Sequence, residues 1–118
     1  MPELKKYHMF IDGEWVDSDT KKTFETLNPE NNKPWAIVPE ASANDVDKAV
    51  KAAQKAFEGE WPNLLPRERA KYIRAIGNKL RENAELLGKV ETIDTGKLYR
   101  ETHKQANYID RKSTRLNS

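Results

Sequence analysis

The hydrophobic period of this chain changes at Ser42, and that change limits its fold more than any other feature. Upstream, apolar residues come in short runs broken by Asp12-Gly13, Asn28-Pro29 and Pro39. Downstream they recur at intervals of three and four, the spacing of amphipathic helices. Ser42 can cap a helix while Asp45, three residues on, reaches back to the cap amide. Val46, Ala49, Val50, Ala53 and Phe57 then line one helix face, Lys48, Lys51 and Lys55 lie opposite, and Gly59 stops the helix.

Before the switch the chain reads as short strands. Tyr7 to Val16 alternates around Asp12-Gly13, and Asp-Gly between apolar runs tolerates the positive φ of a type I′ hairpin turn. Thr23 to Thr26 is a second β-prone piece. Pro29 pushes Asn28 into an extended conformation, so this strand is expected to leave its sheet there. Asn31 to Pro34 reads as a turn and Trp35 to Val38 as another strand.

After the switch, Pro66 suits the first residue of a second helix, where its missing N–H costs nothing. Ala70, Ile73, Ile76, Gly77 and Leu80 form its buried stripe, with Arg67, Lys71, Arg74 and Arg81 on the wet side. Gly77 costs about 1 kcal/mol relative to alanine there and marks close packing. Asn83 is the expected N-cap of a third helix with Leu86, Leu87, Val90 and Ile93 as its apolar face. Gly96 suits the left-handed residue that ends it. A fourth helix starts around Leu98 or Tyr99. No parallel βαβ unit and no Gly-x-Gly-x-x-Gly or phosphate loop follows from this pattern. The expected class is an incomplete α+β piece: a β-hairpin and short strands, then three to four amphipathic helices whose faces await a partner.

Composition agrees. The 118 residues suit about one domain, and 36% hydrophobic against 34% charged residues, at a mean hydropathy of -0.94, suits helices with one buried face or a piece of something larger. No run approaches the roughly 18 apolar residues of a membrane span. Met1 to Lys6 has no apolar stretch behind its charges, which argues against a secretory signal and leaves the cytoplasm as the default compartment. The absence of cysteine excludes disulfides and thiolate metal sites.

The net charge of +2 resides wholly in Asp110 to Ser118, where Arg111, Lys112 and Arg115 outweigh Asp110; the other 109 residues hold 18 basic and 18 acidic side chains. A polyanion-binding domain concentrates its charge on a folded face, so nucleic acid is not an expected partner. The tail can be encoded by GAT CGG AAG AGC ACA CGT CTG AAC TCC, which reads as a sequencing-library adapter. Residues 110–118 are therefore read as an artefactual scar, with the true frame ending near Ile109. The competing reading is a natural basic tail with a kinase-type Arg-Lys-Ser site.

Several stretches together resemble the N-terminal region of the NAD(P)-dependent aldehyde dehydrogenase superfamily. They are Phe-Ile-Asp-Gly-Glu-Trp-Val at 10–16, Thr-Leu-Asn-Pro at 26–29, and Ala-Asn-Asp-Val-Asp-Lys-Ala-Val-Lys-Ala-Ala at 43–53. Phe57, Trp61, Leu64, Pro66, Glu68 and Arg69 follow, then Glu-Thr-Ile-Asp-Thr-Gly-Lys at 91–97. Each is weak alone; in this order they are specific, and they cover residues 7–109. The resemblance implies that residues 1–109 are an incomplete N-terminal part of the α/β (Rossmann-like) cofactor-binding domain.

The implied parent is an oxidoreductase that converts an aldehyde and NAD(P)⁺ into a carboxylic acid and NAD(P)H, commonly as a dimer or tetramer. In the family a cysteine thiolate attacks the aldehyde and a glutamate activates the water that frees the acid. Those groups and the cofactor turn lie beyond Ile109, so no catalytic or cofactor-binding residue is assigned here, and Glu91 is not promoted to general base. The piece is expected to be inactive alone.

One family site maps onto matching positions. Many members hold a monovalent cation, K⁺ or Na⁺, through backbone carbonyls ahead of Asn-Pro and through the aspartate of Glu-Thr-x-Asp-x-Gly-Lys; here these are Thr26, Leu27 and Asp94. Hard cations prefer such oxygens, and the charge would offset the negative end of the third helix. The competing reading gives Asp94 a local hydrogen bond or a salt bridge with Lys97.

Other residues have plain readings. His8 and His103 lack a second ligand at useful spacing. Trp15, Trp35 and Trp61 read as packing residues at element ends, and Glu68 with Arg69 as a surface ion pair worth about 0–1 kcal/mol. Lys97 adjoins no phosphate cradle. A second function class stays open at this level: a complete small helical interaction module with a basic regulatory tail.

Overall fold

The structure, a computed structural model, describes residues 3–105. Asp110 to Ser118, the proposed scar, lies outside the described residues. The chain divides into two compact units, residues 1–27 with 32–63, and residues 28–31 with 64 onward.

The first unit holds the strands and the first helix. Strands β2 (Met9–Ile11) and β3 (Glu14–Val16) form the hairpin, with Met9 opposite Val16 and Phe10 opposite Trp15. Asp12 and Gly13 take φ of 52° and 79°, the two positive values that a type I′ turn demands. A separate three-stranded sheet has the order β1 (Lys5–Lys6), β5 (Lys33–Pro39), β4 (Thr23–Asn28).

β1 is an element that the sequence pattern does not reveal. Two adjacent lysines carry no alternation, yet they pair parallel to β5, Lys5 with Ala36 and Lys6 with Ile37. The Tyr7 amide extends the ladder to the Ile37 carbonyl at 2.9 Å, and Tyr7 meets Trp35 edge-on at 6.1 Å. Ala36 is 0% exposed at the centre of this sheet. The turn expected over Asn31–Pro34 falls earlier, over residues 29–32, and Pro34 is the second residue of β5. Proline is tolerated there because it sits at the strand's start, before the ladder to β1 begins. The Glu30 amide donates to Asn28 Oδ1 at 3.0 Å, the local bond that makes asparagine a good turn opener.

Helix α1 (Ala43–Glu58) starts where the cap predicts, with Ser42 extended and the capping box formed in both directions. It packs against β2, but not through the expected stripe. Asp45 is buried and Ala49 and Ala52 are half-buried, whereas Val46, Val50 and Phe57 are exposed. Asp45, held by Ser18 and the Asp19 amide, shares the covered side of the helix with positions 49 and 52, and the bulkier apolar side stays open. A 3₁₀ turn, Trp61–Asn63, closes this unit. Trp15 is 73% exposed and packs its ring at a tilt against Phe10, with centroids 4.9 Å apart.

The second unit is helical. Helix α2 (Pro66–Glu82) begins with proline at its first turn, and Glu68 Oε2 accepts the Leu65 amide at 2.9 Å. That contact replaces the expected Glu68–Arg69 ion pair, since neighbours one residue apart do not face each other on a helix. Ala70, Ile73 and Leu80 are half-buried and Gly77 is buried, as the stripe predicts, but Ile76 is exposed.

Helix α3 (Ala84–Thr95) follows directly, and residues 99–105 are helical again. Asn83 precedes α3 without capping it by its side chain; its Nδ2 turns back to the Lys79 carbonyl at 2.9 Å and finishes α2. The buried face of α3 is Ala84 and Gly88, not the leucines. Gly88 permits this: a Cβ there would lie 3.1 Å from the His103 backbone. Thr102, 0% exposed, donates its hydroxyl toward the Gly88 carbonyl at 2.9 Å. Gly96 ends α3 at φ 77°, as its position predicts.

Candidate functional site

The most constrained polar cluster lies at the start of α1. Asp45 accepts the Ser42 amide at 2.8 Å, the Ser18 hydroxyl at 2.8 Å and the Asp19 amide at 3.2 Å. In return the Asp45 amide donates to Ser42 Oγ at 3.1 Å. The side chain is only 4% exposed. Donation from the Ser42 backbone, then from the Ser18 hydroxyl, outweighs the burial and lowers the carboxyl to about 2. A carboxylate this well satisfied stays ionised at neutral pH and makes a poor general base. It acts as a tie between segments.

Two neighbouring acids are similarly engaged. Asp19 accepts Asn44 Nδ2 at 2.9 Å, which is the main cause of its lowered pKa. Asp17 lies 2.8 Å from His8 Nδ1 and 3.6 Å from Lys6 Nζ, and the His8 hydrogen bond lowers it most. An open cleft of about 690 Å³ runs between the hairpin, residues 17–21 and α1. Its rim carries Lys21, Lys48, Lys51 and Lys55 against Asp12, Glu14, Asp17, Asp19 and Asp45. The signs nearly cancel, so the cleft offers no basic field for a phosphate-bearing ligand.

The second unit has an open groove of about 540 Å³ between α2 and α3, lined mainly by Tyr72, Ala75, Ile76, Leu80, Leu86 and Leu87. Its walls are mainly apolar, and Tyr72, Lys79 and Asn83 supply the polar groups of the lining.

The cation candidates are divided between the units. Thr26, half-buried, and Leu27, exposed, lie on β4 in the first. Asp94 lies in the last turn of α3 in the second. Lys97 Nζ reaches Glu91 Oε1 at 3.5 Å, so Glu91 is an ion-pair partner at the end of α3. His103 packs its ring on Tyr99 at 5.7 Å. Among the described residues no group of three His, Cys, Asp or Glu side chains gathers to hold a metal.

Neither do the described residues fit a dinucleotide. At the start of α1 the Asp45 amide serves Ser42 Oγ and the Val46 amide the Ser42 carbonyl, α2 begins with a proline that has no N–H, and the cleft is lined by five acidic residues against four lysines. A pyrophosphate needs free amides or an excess of cations.

Sequence reasoning found Asp45 through its cap spacing but missed Ser18 and Thr102, the buried hydroxyls of the polar ties among the described residues. Both are single small polar residues in polar surroundings, and no local pattern marks them.

The aldehyde dehydrogenase family model matches residues 15–112. An aldehyde dehydrogenase of Aspergillus niger is 46% identical over 89 residues, 75% of this chain and 18% of that protein. An NAD-dependent aldehyde dehydrogenase from Sinorhizobium meliloti superposes with a TM-score of 0.91 at 28% identity, covering 98% of this chain and 23% of that one. Betaine aldehyde dehydrogenase from Staphylococcus aureus, solved in complex with NAD⁺, superposes with a TM-score of 0.88 at 37% identity, covering 93% and 22%. The chain belongs to the aldehyde dehydrogenase family, and it spans about a fifth of the length of the relatives it matches.

Proposed function

We propose that this chain is the N-terminal scaffold of an enzyme that oxidises an aldehyde to a carboxylic acid with NAD⁺ or NADP⁺ through a cysteine thiohemiacetal. The observation that carries the reading is the family match across residues 15–112 of a chain that contains no cysteine. The scaffold does not perform the chemistry: it lacks the nucleophile, and its described residues offer no pyrophosphate cradle. The family match weighs against a self-contained interaction module.

The decisive experiment is to read the contiguous gene beyond codon 109. A continuing frame with a reactive cysteine and a glycine-bearing turn supports the reading; a stop codon there, or a continuation without cysteine, refutes it. The same read decides whether residues 110–118 are a scar, because codons unlike the adapter end that idea. The purified 118-residue chain should form no NAD(P)H from aldehydes, and turnover by it refutes the assignment of chemistry elsewhere.

The same reading assigns K⁺ or Na⁺ to the carbonyls of Thr26 and Leu27 with the carboxylate of Asp94. All three supply the oxygen donors a hard monovalent cation prefers. Thermal midpoints of the full-length enzyme should be higher in K⁺ or Na⁺ than in a bulky organic cation, and Asp94→Asn should erase the difference. Equal midpoints in the unaltered enzyme refute the site.

No described helix is long and apolar enough to cross a membrane. For the full-length enzyme the proposal includes a cytoplasmic location, a dimer or tetramer, and a small aldehyde as partner in place of nucleic acid or a membrane. Sedimentation of that enzyme tests its assembly state, and a monomer refutes it.

A further inference from the structure

We propose that the cleft between the hairpin and α1 binds a small linear zwitterion, an ω-amino carboxylate, at a site separate from the dehydrogenase chemistry. The cleft lies wholly within the first unit, and two of its sides carry opposite charge. Asp12 and Glu14 line it from the hairpin, and Lys48, Lys51 and Lys55 line it from α1. Several of its charges are already engaged. Asp45 is held in the cap, Asp17 by His8 and Lys6, Asp19 by Asn44, and Lys51 by Asp47 at 2.8 Å. Asp12, Glu14, Lys48 and Lys55 are all exposed, and none of them forms an ion pair among the described residues. Lys21, from the segment after the hairpin, is likewise without an ion-pair partner there. Carboxylates and ammonium groups thus border about 690 Å³ of open space from two sides without closing on each other.

That arrangement selects against a ligand of one sign. An anion gains from the lysines but meets the hairpin carboxylates, and a cation meets the reverse. A molecule with an ammonium at one end and a carboxylate at the other is complementary to both sides at once. Ile11, Val16 and Ala52, all half-buried, add apolar surface to the same lining, and a hydrocarbon spacer between the two charges can cover it.

The test is a titration of the 118-residue chain with 6-aminohexanoate, followed by amide NMR shifts at low ionic strength. Saturable shifts confined to residues 11–16, 21 and 48–55 are expected. Hexanoate and hexylamine, each carrying one of the two charges, should bind roughly fivefold more weakly, the ratio that one exposed charge contact supports in water. Glu14→Gln and Lys55→Gln should each weaken the zwitterion by a similar factor, and added salt should weaken it further. Circular dichroism matching the parent chain shows that both variants fold, and equilibrium dialysis with labelled 6-aminohexanoate reads the same affinity where resonances overlap. Absence of saturable binding overturns the site. So does equal binding of the single-charge probes, or affinity that survives both variants. Tighter binding of inorganic phosphate than of the zwitterion overturns it in favour of a simple basic patch.

Discussion

The hydroxyl of Ser18 donates to the carboxylate of Asp45 at 2.8 Å across 27 positions of sequence. The same carboxylate accepts the Ser42 amide three residues before it. One side chain thus completes a local helix cap and fastens the segment leaving the hairpin to the first turn of α1.

Ser42→Ala should weaken that junction. Loss of a serine N-cap costs about 1 kcal/mol, which lowers the thermal midpoint of a small domain by roughly 4–8 °C. Far-UV circular dichroism melts of the two chains check it, and superimposable melts count against the cap's role.

Acid should release the tie. Asp45 is lowered from 3.8 to about 2 in the folded chain, so the folded form holds fewer protons than the unfolded form between those values. Its contribution is therefore complete above about pH 4 and disappears as the pH falls through about 2. Asp17 and Asp19 are shifted in the same direction. Urea midpoints measured at steps from pH 5 to the acid limit should fall, and less steeply for Asp45→Asn; parallel slopes would show that Asp45 is not responsible.

Gly88→Ala should destabilise the crossing of α3 with residues 99–105. The new methyl meets the His103 Cα and amide nitrogen at 3.1 Å, and backbone cannot swing aside as a long side chain can. Overpacking of this kind costs about 1–3 kcal/mol, which outweighs the roughly 1 kcal/mol that alanine gains in helix propensity. Chemical denaturation measures the balance, and an increase in stability contradicts the close approach.

Gly96→Ala combines two penalties. At φ 77° a Cβ is strained, by roughly 1–2 kcal/mol, and it would also sit 3.1 Å from Pro29 Cγ. Slower amide exchange at the end of α3 in the variant would contradict this; faster exchange is expected.

What sequence alone determined here is local. Asp12-Gly13, Ser42 with Asp45, Pro66 and Gly96 each act through backbone preferences or hydrogen bonds within a few residues, so the hairpin turn and most helix boundaries are legible from the residues themselves. The order of the aldehyde dehydrogenase motifs likewise needs no coordinates. Tertiary structure decided which faces are covered. Lys5 and Lys6 form a strand only because β5 offers an edge, and Pro34 joins that strand because it lies before the ladder to β1. Ser18 holds Asp45 on the covered side of α1, opposite exposed Val46, Val50 and Phe57, while Gly88 lies against residues 99–105 with Leu86 and Leu87 on the open side of α3. Periodicity marks that an apolar face exists, but which side is buried depends on contacts between residues far apart in sequence.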